Sequence, residues 1–107
     1  MPAAKPDRWW LYVLECHSGV LYTGIAKDVD ARFKAHCSGK GAKFTRLNRP
    51  VAIVGKVRLA SRSRALRAEY ALKQLPRSGK LKWCGAGLGA FVKTIGGRTS
   101  RPSRRSA

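Results

Sequence analysis

The stretch Trp9-Trp10-Leu11-Tyr12-Val13-Leu14-Glu15-Cys16, followed by His17-Ser18-Gly19 and then by Val20-Leu21-Tyr22-Thr23-Gly24-Ile25, decides the reading of the fold. Aromatic and branched side chains dominate both runs and favour extended backbone, while the His-Ser-Gly between them is short and turn-forming. Together they predict a β-hairpin. The apolar part of the first run, Trp9 to Leu14, ends at Glu15 and is too short for a signal-peptide core or a membrane span. The expectation is a soluble, cytoplasmic protein with no membrane partner.

Working outward, Asp28 offers an N-cap, with Asp30 in the first turn behind it, and Gly39 follows a periodic stretch; the pattern predicts a helix over 28–38. Residues 38–49 are rich in glycine and basic side chains without an apolar period. They read as a phosphate-facing surface loop with room for one helical turn. Pro50 introduces a third strand over 51–59, whose alternation is clear only in its second half. Ser61 caps a helix over 62–75 that Pro76 stops. Residues 1–8, with Pro2, Pro6 and three charges, read as a flexible arm, and residues 9–83 as the folded domain. Beyond residue 84 the chain is rich in Gly, Arg and Ser and is expected to be a largely disordered basic tail, apart from an apolar patch at 90–95 able to pack as a last strand or helical turn.

The chain has 107 residues, one domain's worth, with 44% hydrophobic side chains and a formal charge of +18. Such a charge repels itself in the compact state and fits a polyanionic partner, with nucleic acid ahead of an anionic membrane. It is not confined to the tail: residues 1–76 hold 15 basic and all 5 acidic groups, and residues 77–107 hold 8 basic and none acidic. The three cysteines, Cys16, Cys37 and Cys84, form no C-x-x-C pair, so neither a disulfide framework nor a zinc ribbon is indicated. Cys16-His17 and His36-Cys37 supply four possible zinc ligands, but neighbours in a strand point to opposite faces. Ser38-Gly39-Lys40-Gly41 lacks the full spacing of a nucleotide phosphate loop.

Glu69 is the only carboxylate side chain in residues 31–107. At 100° per residue Ala65, Ala68, Leu72 and Leu75 fall to one side of it and Leu66, Tyr70 and Lys73 to the other, which places it within an apolar arc. A carboxylate so placed needs either an ion-pair partner, for which Lys73 is spaced four residues on, or a divalent cation shared with substrate phosphates. On the earlier helix Val29, Arg32, Phe33, His36 and Cys37 share a stripe. Arg32 and His36 there either line a cleft or are a snorkelling arginine and a satisfied core-edge histidine. Tyr12 and Tyr22 lie on neighbouring strands and can meet on one face, as aromatic core or as paired site phenols.

Trp10-Leu11-Tyr12, the ten-residue step to Tyr22-Thr23-Gly24, then Asp28, Arg32 and His36, and later Ala68-Glu69-Tyr70-Ala71-Leu72-Lys73, resemble in order and spacing the GIY-YIG nuclease superfamily. The resemblance is closest to its small stand-alone bacterial branch, whose segments are similar to Leu21-Tyr22-Thr23-Gly24-Ile25 and to Ser38 through Thr45. It implies a compact α/β (α+β) domain with a central three-stranded antiparallel sheet flanked by helices. It also implies phosphodiester hydrolysis, with Tyr12, Tyr22, Arg32, His36 and Glu69 as catalytic residues. Glu69 would be the ligand of a magnesium ion, for which manganese can substitute. Trp10, Leu11 and Thr23 replace the glycine and isoleucines of the family's two motifs, and the single asparagine, Asn48, precedes Glu69 instead of following it.

Two functions from different classes follow. One is a metal-dependent DNA endonuclease, structure-selective because so short a chain leaves little room for a sequence-reading domain, and linked by the resemblance to DNA repair or recombination. The other is a non-catalytic nucleic-acid-binding module. In either, Lys27, Lys40, Lys43, Arg46, Arg49 and Lys73 are the expected phosphate contacts, on DNA or on RNA, with no small-molecule cofactor.

Overall fold

The computed structural model describes residues 8–96. β1 (Trp9–Cys16) pairs antiparallel with both β2 (Leu21–Ala26) and β3 (Pro50–Leu59), giving a three-stranded sheet in the order β2-β1-β3. The predicted hairpin is present, with Tyr12 opposite Gly24 and Leu14 opposite Tyr22. Because β1 is central and covered on both faces, its apolar run is continuous where a half-exposed strand would alternate. Leu11, Tyr12, Val13 and Leu14 are all buried.

The two faces of the sheet support separate cores. Leu11 and Val13 point to one side, where they meet Leu59 of β3 and Ala65, Ala68 and Leu72 of α3 (Arg62–Lys73). Tyr12 and Leu14 point to the other, against Val29 and Phe33 of α1 (Val29–Cys37). Asp28 caps α1 by accepting from the Ala31 amide at 3.0 Å, and Ser61 caps α3 by accepting from Arg64 at 3.2 Å, as their positions predict. A single short helix, α2 (Lys43–Leu47), breaks the 38–49 loop. Register shifts between Val13 and Leu14 and between Glu15 and Cys16 bend the β1–β3 pairing. They explain why the first half of the third strand does not alternate: a bulge swaps which side chains face the core.

The chain beyond Pro76 departs from expectation. Residues 84–96 are helical apart from Gly87, not loose: α4 (Arg77–Ala86) is followed after that one residue by α5 (Leu88–Gly96). Leu88 and Phe91 are buried in the core shared with α3, and Phe91 packs on Trp83 with ring centroids 5.4 Å apart. Burial of these side chains outweighs the poor helix propensity of Gly85 and Gly89, which is why local composition misled. The domain therefore extends past the expected boundary at residue 84. The expected arm, except Arg8, and the tail after Gly96 lie outside the described residues.

Replacing Phe91 by Ala is expected to lower unfolding free energy by about 3 kcal/mol, the usual cost of emptying a buried aromatic site. Urea denaturation measures it; a loss under about 0.5 kcal/mol would show that α5 is dispensable to the core.

Candidate active site

The backbone brings Tyr12, Tyr22 and His36 into one cluster. Tyr22 sits diagonally from Tyr12 on the same sheet face, with ring centroids 6.4 Å apart. His36, in the last turn of α1, meets the Tyr22 ring edge-on at 5.0 Å. Two glycines make the approach possible. A Cβ on Gly24 would stand 2.6 Å from the Tyr12 hydroxyl, and a Cβ on Gly41 would overlap the His36 ring.

His36 is fully buried, and its hydrogen bonds define its tautomer. Nδ1 lies 2.7 Å from Thr45 Oγ1, and Oγ1 lies 2.9 Å from the Ala42 carbonyl. A hydroxyl has one proton, and the carbonyl can only accept, so Thr45 donates to Ala42 and accepts from His36 Nδ1–H. Nε2 is then unprotonated and accepts the Tyr12 hydroxyl proton at 3.0 Å. The Ala42 amide also faces Nδ1, at the longer distance of 3.4 Å. With Nδ1 protonated that amide makes no bond to the ring; with Nδ1 bare, Thr45 would donate to it and two acceptor oxygens would face each other at 2.9 Å, the closer and costlier contact. The network is thus a directed chain from Tyr12 through His36 and Thr45 to Ala42.

Electrostatics agree with that direction. Burial pushes the Tyr12 phenol above the usual tyrosine range; Tyr22 adds to the rise, Arg32 opposes it and Glu69 reinforces it. Burial, and then the Arg32 guanidinium, hold His36 below its ordinary value. At neutral pH the pair is a protonated phenol facing a neutral imidazole.

Arg32 lies one helical turn before His36 with its side chain exposed, so it can reach a phosphate while acting on both site residues. Glu69 projects from α3, which packs in the other core, yet its charge acts on Tyr12. It is not within an apolar arc: Leu66 and Tyr70 beside it are exposed, and the carboxylate, 19% accessible, lies at the border of the buried face. The ion pair considered for it exists, with Lys73 Nζ 3.2 Å away. Among the described residues no group of three or more His, Cys, Asp or Glu could hold a metal. Glu69 is the one carboxylate whose charge acts on Tyr12, and a single carboxylate is a donor that magnesium accepts when phosphate oxygens and water complete its shell.

The expected phosphate contacts divide. Lys40, Lys43 and Arg46 are exposed around α2. Arg49, also exposed, donates to the Cys37 carbonyl and so closes the end of α1. Lys27, just past the end of β2 and five residues beyond Tyr22, lies over the Trp9 ring at 5.4 Å. Asn48, which had no assigned role, accepts from Ser18 at 2.9 Å and ties the hairpin turn to α2. Sequence reasoning missed Thr45 and Gly41, although both stand in the segment that carries the resemblance. The proximity of a hydroxyl and a glycine nine and five residues after a buried histidine has no periodic signature.

The neutral form of His36 is favoured by folding, so on acidification the unfolded chain takes up the extra proton first. Stability owed to neutral His36 is present above pH 6.5 and is lost below it, down to the lowered folded-state value. Thermal melting is expected to fall more between about pH 7 and 5 for the wild type than for His36→Gln; parallel curves would contradict a buried neutral histidine.

Residues 8–82 match the family model described as the GIY-YIG catalytic domain. A UPF0213 protein of Cupriavidus pinatubonensis is 47% identical over 77 residues, which cover 72% of this chain and 86% of that one. A UPF0213 protein of Staphylococcus epidermidis is 46% identical over 76 residues, covering 71% and 93%. The solution NMR structure of a UPF0213 protein from Bacillus halodurans is 39% identical, spans 87% of this chain and 99% of its own, and aligns with a TM-score of 0.50. Tyr12, Tyr22, Arg32, His36 and Glu69 all fall within the matched segment, and the chain belongs to the GIY-YIG family of nuclease-type catalytic domains.

Proposed function

We propose that the protein is a magnesium-dependent DNA endonuclease, acting on branched, damaged or single-stranded features in repair or recombination. The observation that carries the reading is the directed chain from Tyr12 to His36 and Thr45, with the Glu69 charge acting on the same phenol. A buried phenol is a poor base alone, because burial opposes the phenolate. Passing its proton to a neutral imidazole as the water proton arrives avoids a free phenolate and places the charge on His36.

Water bound at Tyr12 would lose a proton to the phenol oxygen as the phenol proton moves to His36 Nε2, and the resulting hydroxide would form the new P–O bond. The 3′ oxygen leaves as the old bond breaks and takes a proton from solvent. His36 becomes an imidazolium, its Nδ1–H still held by Thr45. Arg32 clamps non-bridging phosphate oxygens, for which an exposed guanidinium fork is suited. Tyr22, edge-on to His36, keeps the imidazole in place. Magnesium held by Glu69 would neutralise charge on the phosphate and on the departing oxygen.

The Glu69–Lys73 ion pair favours a second reading, a structural carboxylate in a non-catalytic nucleic-acid-binding module. The two separate cleanly. With Lys73 49% accessible, the pair is worth about 0–1 kcal/mol, so Glu69→Gln should leave stability nearly unchanged. On labelled single-stranded, duplex, flapped and four-way-junction DNA, the nuclease reading expects cleavage with magnesium that stops with chelator and in Glu69→Gln, while binding persists. A folded Glu69→Gln protein that cuts like the wild type would remove the metal role; tight binding without cleavage in any metal would leave the binding module.

Tyr12→Phe keeps the packing against Gly24 but has no proton to pass on. Its cleavage rate is expected to fall by about a hundredfold or more at unchanged affinity. A rate within about threefold of wild type would exclude Tyr12 from the proton path.

A further inference from the structure

An open groove of about 280 Å³ runs along the outer edge of β2, lined by Leu21, Tyr22, Thr23, Phe44, Lys73 and Lys80. It draws on both sides of the sheet: Tyr22 and Phe44 from the α1–α2 side, Lys73 and Lys80 from α3 and α4. Phe44 is stacked on Tyr22, with centroids 5.9 Å apart and planes 24° from parallel, yet is 41% accessible. Its helix alternates apolar and basic residues, Lys43, Phe44, Arg46 and Leu47, and leaves all four exposed, where a helix serving the core would bury the apolar pair. The Thr23 hydroxyl is buried and has no hydrogen-bond partner among the described residues. An aromatic pair and two lysines are the elements that hold a nucleotide: a π face for the base and cations for phosphate.

We propose that this groove is a nucleobase-stacking subsite, in which a base next to the reacting phosphate stacks on the Phe44–Tyr22 pair while Lys73 and Lys80 hold its flanking phosphates. The inference rests on the nucleic-acid substrate of the proposed function and specifies what the site reads: a base free to leave its duplex stack. It therefore favours single-stranded or distorted substrates, because a paired base is not available to the edge of β2. Stacking is tolerant of base identity, so the groove confers preference for nucleic-acid structure and little for sequence.

The test is equilibrium binding, by anisotropy in chelator, of a labelled short single-stranded deoxyoligonucleotide and of a series of the same strand with one abasic position each. Wild-type protein is expected to lose about tenfold in affinity for one or two members of the series, and Phe44→Leu to lose about as much for the intact strand. Phe44→Leu should bind the intact and abasic strands alike, and Phe44→Trp should keep the wild-type discrimination. The salt dependence of Phe44→Leu should match wild type, whereas Lys80→Ala should flatten it by about one unit of slope. An abasic series bound uniformly by wild-type protein overturns the subsite without any variant. Phe44→Leu binding as tightly as wild type overturns it too, as does a loss that appears only as a flattened salt slope. Wild-type protein that binds no strand at all takes the proposed function with it, whereas binding without discrimination removes the subsite alone.

Discussion

Everything at the site depends on burying one phenol. Tyr12 stands on the central strand, its ring buried, with its hydroxyl over Gly24 and 3.0 Å from His36 Nε2. A buried hydroxyl must find a partner, and losing one costs about 1–3 kcal/mol. The partner chosen is an imidazole that is itself buried and neutral, which must be satisfied in turn by Thr45 and, through it, by Ala42. The need to satisfy a single polar group thus fixes the end of α1, the start of α2 and the glycine between them. The same geometry makes a proton path.

The rest of the fold keeps that chain aligned. Covering β1 on both faces places Tyr12 in one core and Leu11 and Val13 in the other, so α1 and α3 approach the strand from opposite sides. Arg32 and Glu69 are thereby brought to bear on the phenol from different helices and with opposite sign. Arg49 on the Cys37 carbonyl and Asn48 on Ser18 hold the loop that carries Thr45. Arg77 donates to the Gly19 carbonyl at 2.6 Å and fastens α4 to the hairpin turn, beside the groove that Lys80 lines.

Much of this was legible in the residues because it follows from short-range rules. The hairpin, both N-caps and the breaks at Gly39 and Pro76 rest on local chemistry, and each element that depends on it appears where expected. What the residues did not reveal depends on tertiary neighbours. The α5 helix is hidden by three closely spaced glycines and exists because Phe91 finds Trp83 and Leu88 finds the core. Glu69 is mostly covered but stands at the edge of the apolar arc and not within it, because Leu66 and Tyr70 on its far side are exposed. The tyrosines, Arg32 and His36 could be singled out by pattern, but the order in which protons are held needed the position of Thr45. Exposed Phe44 had no pattern to mark it, since its significance lies in stacking on a residue from another element.

The most direct test of this account is the protonation state of His36, read from the nitrogen chemical shifts of histidine-labelled protein near neutral pH. The hydrogen-bond chain requires Nδ1 to carry the proton and Nε2 to be bare, with the Nε2 signal moving when Tyr12 is replaced by Phe. Thr45→Val should disturb that tautomer and Thr45→Ser should restore it. A His36 protonated on Nε2, or on both nitrogens, would mean that it does not accept the Tyr12 proton, and the proposed route from water through Tyr12 would be wrong.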